Sequence, residues 1–134
     1  MPNRKEHAKI GAWTGAITAT LLNLAAQAQR KQLDPNYQIN WLESAVVGTA
    51  GYFAGRVGGQ LPDIFEPAYH PGHRNFFHSG AFGTLAMTMA KKINDNPTVS
   101  DGVKLVLNAS TLAYVSHLAM DGDTPAGVPV LFKY

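Results

Sequence analysis

Apolar side chains recur at three- and four-residue steps early in the chain. Ile10, Trp13, Ile17, Leu21 and Leu24 fall on one stripe of a helix predicted from about Lys5 to Lys31, with His7 in its first turn. DPN at 34–36 predicts a turn, after which a second helix over about Asn40 to Gly58 carries Trp41, Ala45, Gly48, Tyr52 and Gly55. Gly58 and Gly59 end that helix, and Pro62, Pro67, Pro71 and Gly72 predict a loop over 60–72. A third helix is expected from Arg74 or Asn75 to about Lys92, with His73 at its mouth, His78 in its first turns and NDNP at 94–97 as its terminator. A fourth runs from Val99 or Ser100 to Asp121, with Ser100 as N-cap and Val103 and Leu107 turned inward. Glycine spacings at 11/15, 48/51 and 51/55 permit close backbone approach between helices. The expected fold is all-α: a compact bundle of about four helices with a ligand-rich loop between the second and third.

Composition narrows this picture. With 134 residues, one helical metal-binding domain over 1–134 is expected. The charged fraction is 15% and the apolar fraction 46%, a balance suited to helices packed through small residues. A formal charge of +2, drawn largely from Arg4, Lys5, Lys9, Arg30 and Lys31, is too small and scattered for a specific nucleic-acid footprint, though it suits an anionic membrane surface. The absence of cysteine excludes disulfides, thiolate metal sites and thiol nucleophiles. It leaves histidine and carboxylate as the strong ligands and fits a cytoplasmic protein. The N-terminus, MPNRKEHAK, does not read as a secretory signal. Residues 10–26, 42–60 and 103–120 come nearest to membrane spans, but threonines interrupt the first, Glu43 and Arg56 the second, and Lys104, Asn108 and His117 the third. They are expected to be core helices.

The candidate chemistry lies in two islands. LPDIFEPAYHPGHRNFFHS at 61–79 holds Asp63, Glu66, His70, His73, Arg74 and His78, and SHLAMDGDTPAGVPVLF at 116–132 adds His117 and Asp121. His117 and Asp121, four apart on a helix, share a face and can reach a common ion. His73 and His78 are five apart, so they converge only if His73 precedes the helix proper. Histidine plus carboxylate without thiolate suits zinc first, with manganese or iron as alternatives. Taken singly, each of these residues has an ordinary explanation as a turn cap or a hydrogen-bonded core histidine; taken together, they point to a metal site.

These segments also carry a resemblance. LPDIFEP, GHRNFFHS and SHLAMDGDTPAGVPVLF resemble, in the same order, the LPDIDHP, GHRGFTHS and SHxxxDxxTPAGVPLL signatures of the bacterial LexA-regulated, membrane-associated predicted metal-dependent hydrolase family. The early His7 before a small, apolar helix is similar to that family's N-terminal GH segment. The resemblance implies a helical metal-binding hydrolase at the inner membrane, with His7, Asp63, His73, His78, His117 and Asp121 at its polar positions and Arg74, Ser79 and Thr124 beside them. This chain departs from the pattern at Phe65 and Glu66, where the family has Asp and His, so one ligand is lost and one imidazole becomes a carboxylate. The chain stops at Tyr134, soon after the last motif, without the longer hydrophobic region that some relatives resemble having, which weakens the case for integral membrane insertion.

The expected function is hydrolysis by a metal-activated water. One or two divalent ions would be held by His7, Asp63, His73, His78, His117 and Asp121, with Glu66 as proton acceptor and Arg74 stabilising developing negative charge. Charge complementarity favours a small-molecule or lipid phosphoester as substrate. Ser79, Asp123 and Thr124 would orient the ligating groups. The alternatives are a non-catalytic, metal-stabilised interaction module and, less favoured, a small membrane protein built on glycine-rich helices. The expected location is the cytoplasm or the periphery of the inner membrane.

Overall fold

The computed structural model describes residues 3–66 and 76–122. Four long helices and one single-turn helix account for most of them: α1 (Arg4–Leu33), α2 (Trp41–Gly58), α3 (Leu61–Phe65), α4 (Gly80–Asn94) and α5 (Asp101–Gly122). The described residues contain no strand, and the all-α bundle expected from the sequence is what forms.

Local chemistry sets the helix ends. Asn3 caps α1 by accepting from the Lys5 and Glu6 amides, and the Glu6 carboxylate in turn accepts from the Asn3 amide, a capping box that frames His7. Asn40 caps α2 through the Glu43 amide, and Ser100 accepts from the Val103 amide at the start of α5. Two segments differ from expectation. Pro62 sits in the first turn of α3, where its missing N–H has no helical partner to lose, so a turn of helix forms within the predicted loop. The third long helix begins only at Gly80, because Ser79 caps it by accepting from the Phe82 amide. His78 therefore precedes that helix instead of lying within it.

The large apolar stripe of α1 does not face the core. Ile10, Trp13, Ile17 and Leu21 are exposed, Trp13 at 56% and Leu21 at 61%, while Ala8, Gly11, Ala12, Gly15 and Ala19 are buried together with His7, Asn23 and Gln27. Trp41 and Val103 likewise point outward, at 70% and 56%, and Leu107 is half-buried. The physical reason is the distance between helix axes. α1 and α2 form an antiparallel hairpin in backbone contact: a Cβ added to Gly15 would lie 2.7 Å from the Gly55 Cα, and one on Gly11 would lie 2.8 Å from the Gly59 Cα. Large side chains cannot occupy such a seam, so they face outward. Apolar periodicity identified residues that share a face but not the direction of that face. The glycine spacings at 11/15 and 51/55 marked the seam correctly.

α5 lies across this hairpin, packing on both α1 and α2, and α4 packs on α5. Gly58 meets the backbone of Ser110, whose hydroxyl donates to the Ala54 carbonyl at 3.2 Å. Asn94 and Asn108 exchange two amide hydrogen bonds, at 2.7 and 3.0 Å, which fix α4 against α5. The seam thus brings the start of α1, the end of α2 and the last turns of α5 to one end of the bundle.

Candidate metal centre

That end holds the chemistry. His7 comes from the first turns of α1, Asp63 from α3, His78 from the turn before α4, and His117 and Asp121 from the last turns of α5. His7, His78, His117 and Asp121 are buried, whereas the Asp63 side chain keeps 17% of its surface exposed. The His7 and His117 rings stack with centroids 3.7 Å apart. His117 Nε2 lies 3.3 Å from Asp121 Oδ2 and 3.7 Å from Asp63 Oδ1; His78 Nε2 lies 3.3 Å from Asp63 Oδ1 and 3.6 Å from Asp121 Oδ2; His7 Nε2 lies 3.6 Å from Asp121 Oδ1. Two groups of ligand atoms, His7–Asp63–His117 and His78–His117–Asp121, each fall within 4.8 Å and share His117.

Hydrogen bonding determines what these rings offer. His117 Nδ1 is 2.7 Å from the Gly59 carbonyl, which can only accept, so the proton is on Nδ1. In the neutral ring, Nε2 is then a lone pair aimed at two carboxylates, and it is a buried atom with no hydrogen-bond partner among the described residues. His78 presents Nδ1 to Glu66 at 3.1 Å and Nε2 to Asp63 at 3.3 Å, although a neutral imidazole can donate from only one nitrogen. Lone pairs and carboxylate oxygens gathered in this way repel one another unless positive charge sits among them. A divalent cation would satisfy such a set, and the donors, imidazole nitrogen and carboxylate oxygen without sulfur, are of the kind that zinc, manganese or iron takes. Backbone and carboxylate bonds to the distal ring nitrogens, as from Gly59 and Glu66, orient histidine ligands in metal sites generally.

The ionisation states agree with this arrangement. Burial, with the neighbouring His117, lowers the His7 pKa, keeping the ring neutral and able to ligate. Burial alone would raise the Asp63 pKa, but the hydrogen bond to His78 and the nearby His117 and His7 outweigh it and leave the carboxyl below its ordinary value. Glu66 behaves alike: burial pushes it up, while the Phe76 amide and His78 hold it down. Tyr114 is pushed up by burial and then by Glu66, and its hydroxyl donates to the Phe77 carbonyl.

Phe65 and Glu66, the positions that depart from the resembled motif, both hold the turn that carries His78. Glu66 accepts from the Phe76 amide at 2.7 Å and the His78 amide at 3.2 Å, and Phe65 stacks on Phe77 at 4.7 Å. Phe82 and Tyr114 extend this aromatic support. Ser79 is fully buried as the α4 cap. Of the residues expected at the site, His7, Asp63, His78, His117 and Asp121 converge, and Glu66 stands behind His78. His70, His73, Arg74, Asp123 and Thr124 lie outside the described residues. Sequence reasoning missed the Gly59 carbonyl, whose only signal was the glycine pair closing α2.

Fold and site together define a small helical bundle with a buried histidine–carboxylate centre at one end. The sequence model of the YdjM inner membrane protein family matches residues 1–132, and the chain belongs to that family. No curated protein and no solved structure matches it. Among the described residues, no helix is long and apolar enough to cross a membrane.

Proposed function

We propose that the protein is a metal-dependent hydrolase acting on a phosphoester at the inner-membrane surface. The observation that carries this reading is His117: its proton is committed to Gly59, and its bare Nε2 faces Asp63 and Asp121 in a buried site. His7, His78, His117, Asp63 and Asp121 would hold one divalent ion or a pair. Such an ion would supply Lewis acidity and a water acidified toward neutrality. Asp121 sets the negative charge at the floor of the site, and Asp63 does so at its mouth, where the centre meets solvent. Glu66 acts as a positioning residue instead of the proton acceptor expected from the sequence, since its carboxylate is occupied by two backbone amides and His78 Nδ1. Arg74, by its place in the sequence between His73 and His78, is assigned to the substrate's negative charge.

Peripheral membrane association is the reading that the inner-membrane family and the exposed apolar surface support. Twenty large apolar side chains are exposed among the described residues, and where they adjoin they offer apolar surface to a membrane. A second reading, a metal-stabilised module without catalysis, is favoured by the near-complete burial of four of the five ligands, since structural sites are closed.

Elemental analysis of the purified full chain, paired with turnover of phosphomonoester and phosphodiester probes before and after chelation, tests the proposal. We expect one or two divalent ions per chain, with activity lost on chelation and restored by the metal. A metal-free folded protein would remove the centre, and a loaded protein inert toward both probes would leave the module. Arg74→Ala should retain metal and lose turnover.

A further inference from the structure

A second feature lies on the opposite side of α1. Lys5 and Lys9 are each two residues from His7, about 200° around the helix, and therefore face away from the metal centre. With Arg4, Arg56, Tyr52 and Gln60 they line a cavity of about 520 Å³ between the start of α1 and the end of α2. Gln60 organises its rim, accepting from Arg4 Nε at 3.3 Å and donating to the Arg56 carbonyl at 3.2 Å. None of the four cations is ion-paired among the described residues, and the nearby Glu6 is turned to the Asn3 amide. Like charges concentrated in one cavity without counter-charge favour an anion there.

The cavity continues along the hairpin. Tyr52 also lines a groove of about 540 Å³ whose walls include Trp13, Ala16, Thr20, Trp41, Gly48 and Phe53. Trp13 packs edge-on against Tyr52 at 5.7 Å, and Trp13, Trp41 and Phe53 are all exposed. One end is thus cationic and the other apolar and aromatic. From Arg4 to Thr20 the helix rises about 24 Å, close to one leaflet of a bilayer whose full thickness with headgroups is about 40–45 Å.

We propose that this α1–α2 groove binds one anionic phospholipid, with its phosphate among Arg4, Lys5, Lys9 and Arg56 and an acyl chain along Trp13 and Trp41. The lipid is an anchor, separate from any substrate of the metal centre, and its phosphate holds the start of α1 at the headgroup level while the groove runs down toward the acyl chains. Both tryptophans of the chain line the groove, so their fluorescence reports on it.

The test titrates the purified full chain with short-chain phosphatidylglycerol carrying brominated acyl chains, alongside the matching phosphatidylcholine and inorganic phosphate. Saturable tryptophan quenching by phosphatidylglycerol is expected at one lipid per chain, with phosphatidylcholine much weaker and inorganic phosphate a poor competitor. Each cation removed should weaken binding about fivefold, so the double variant Lys9→Gln/Arg56→Gln should lose about 25-fold. Ala45→Phe, which fills the apolar end, should weaken lipid binding but not that of inorganic phosphate. Equal binding of phosphatidylcholine, or competition by inorganic phosphate as strong as the lipid's, overturns the proposal. So does an equal loss on neutralising the remote Lys31, which would reveal general adsorption. Helical circular dichroism checks the fold of each variant, and if Ala45→Phe misfolds, the charge variants and the headgroup comparison still decide. Metal content is measured in the same samples, so failure of the metal centre and failure of the lipid site are read separately.

Discussion

The two ends of the α1–α2 hairpin both enclose buried polar side chains, joined at the open end by side chains from α5 and the turn before α4, yet they differ in one respect. At the loop end, Gln27 is fully buried and all of its groups are matched: the two Nε2 hydrogens have acceptors in Asn23 at 2.7 Å, Ser44 at 3.0 Å and the Asn40 carbonyl at 3.2 Å, while Oε1 accepts from the Asn40 amide at 2.6 Å and from Tyr37 at 3.3 Å. Asn23 in turn binds Glu43, which pairs with Arg30 at 3.7 Å. At the open end, His117 Nε2 and His7 Nδ1 are buried without hydrogen-bond partners among the described residues, and carboxylates face lone pairs. A buried polar group left unmatched costs about 1–3 kcal/mol. The satisfied cluster is complete as protein alone and acts as glue; the other has the donor set that a cation would complete, as proposed above. Burial of polar residues does not mark function by itself, whereas burial with acceptor facing acceptor does.

The comparison can be broken most forcefully at the seam that serves both ends. Gly15→Val would force the helices apart, and overpacking of this kind costs about 1–3 kcal/mol or more where backbone must move; chemical denaturation should register that loss together with loss of bound metal. A wild-type midpoint for this variant would refute backbone contact between α1 and α2. Asp121→Ala comes next. It should strip the metal and lower the melting temperature, and chelating wild-type protein should reproduce most of that drop because binding energy adds to folding stability. Full metal content in Asp121→Ala would take Asp121 out of the centre. Gln27→Leu should cost about 1–3 kcal/mol by orphaning the Asn40 amide, with metal stoichiometry unchanged; altered metal content would show that the two ends are not independent. Glu66→Gln should leave folding nearly intact while weakening metal affinity about 10- to 100-fold, as loss of a ligand-orienting partner does. An unchanged affinity would make Glu66 merely a brace for the turn. The smallest effect belongs to Ile17→Ser, expected to shift stability by less than about 0.5 kcal/mol, whereas a core isoleucine would lose several times that.

This last pair of expectations shows where sequence reading worked and where it did not. His7, Gly11, Gly15, Ala19, Asn23 and Gln27 recur every four residues, and Gly51, Gly55 and Gly59 do the same on α2. Such rows form the ridges through which helices pack. The row was visible in the sequence, but a search for large apolar residues passes over it, since glycine and alanine carry little hydrophobic signal. The turn at 34–36, the Ser100 cap and the glycine seam were legible because each depends on residues close in the chain. The start of α4 was not, because Glu66 holds the Phe76 and His78 amides from ten and twelve residues away.

By itself the sequence determined the helical class, the approximate extents of the long helices and the short inventory of imidazoles and carboxylates able to take a metal. Caps, turns and helical spacing are local, and the absence of thiol is absolute. The tertiary structure alone decided which face of α1 turns inward, which nitrogen of His117 meets the Gly59 carbonyl, and which of two buried polar clusters leaves ring nitrogens without hydrogen-bond partners among the described residues. Those outcomes depend on atoms distant in the chain, such as Gly15 and the Gly55 Cα or His117 and the Gly59 carbonyl, that meet only once backbone can approach backbone across a row of glycines.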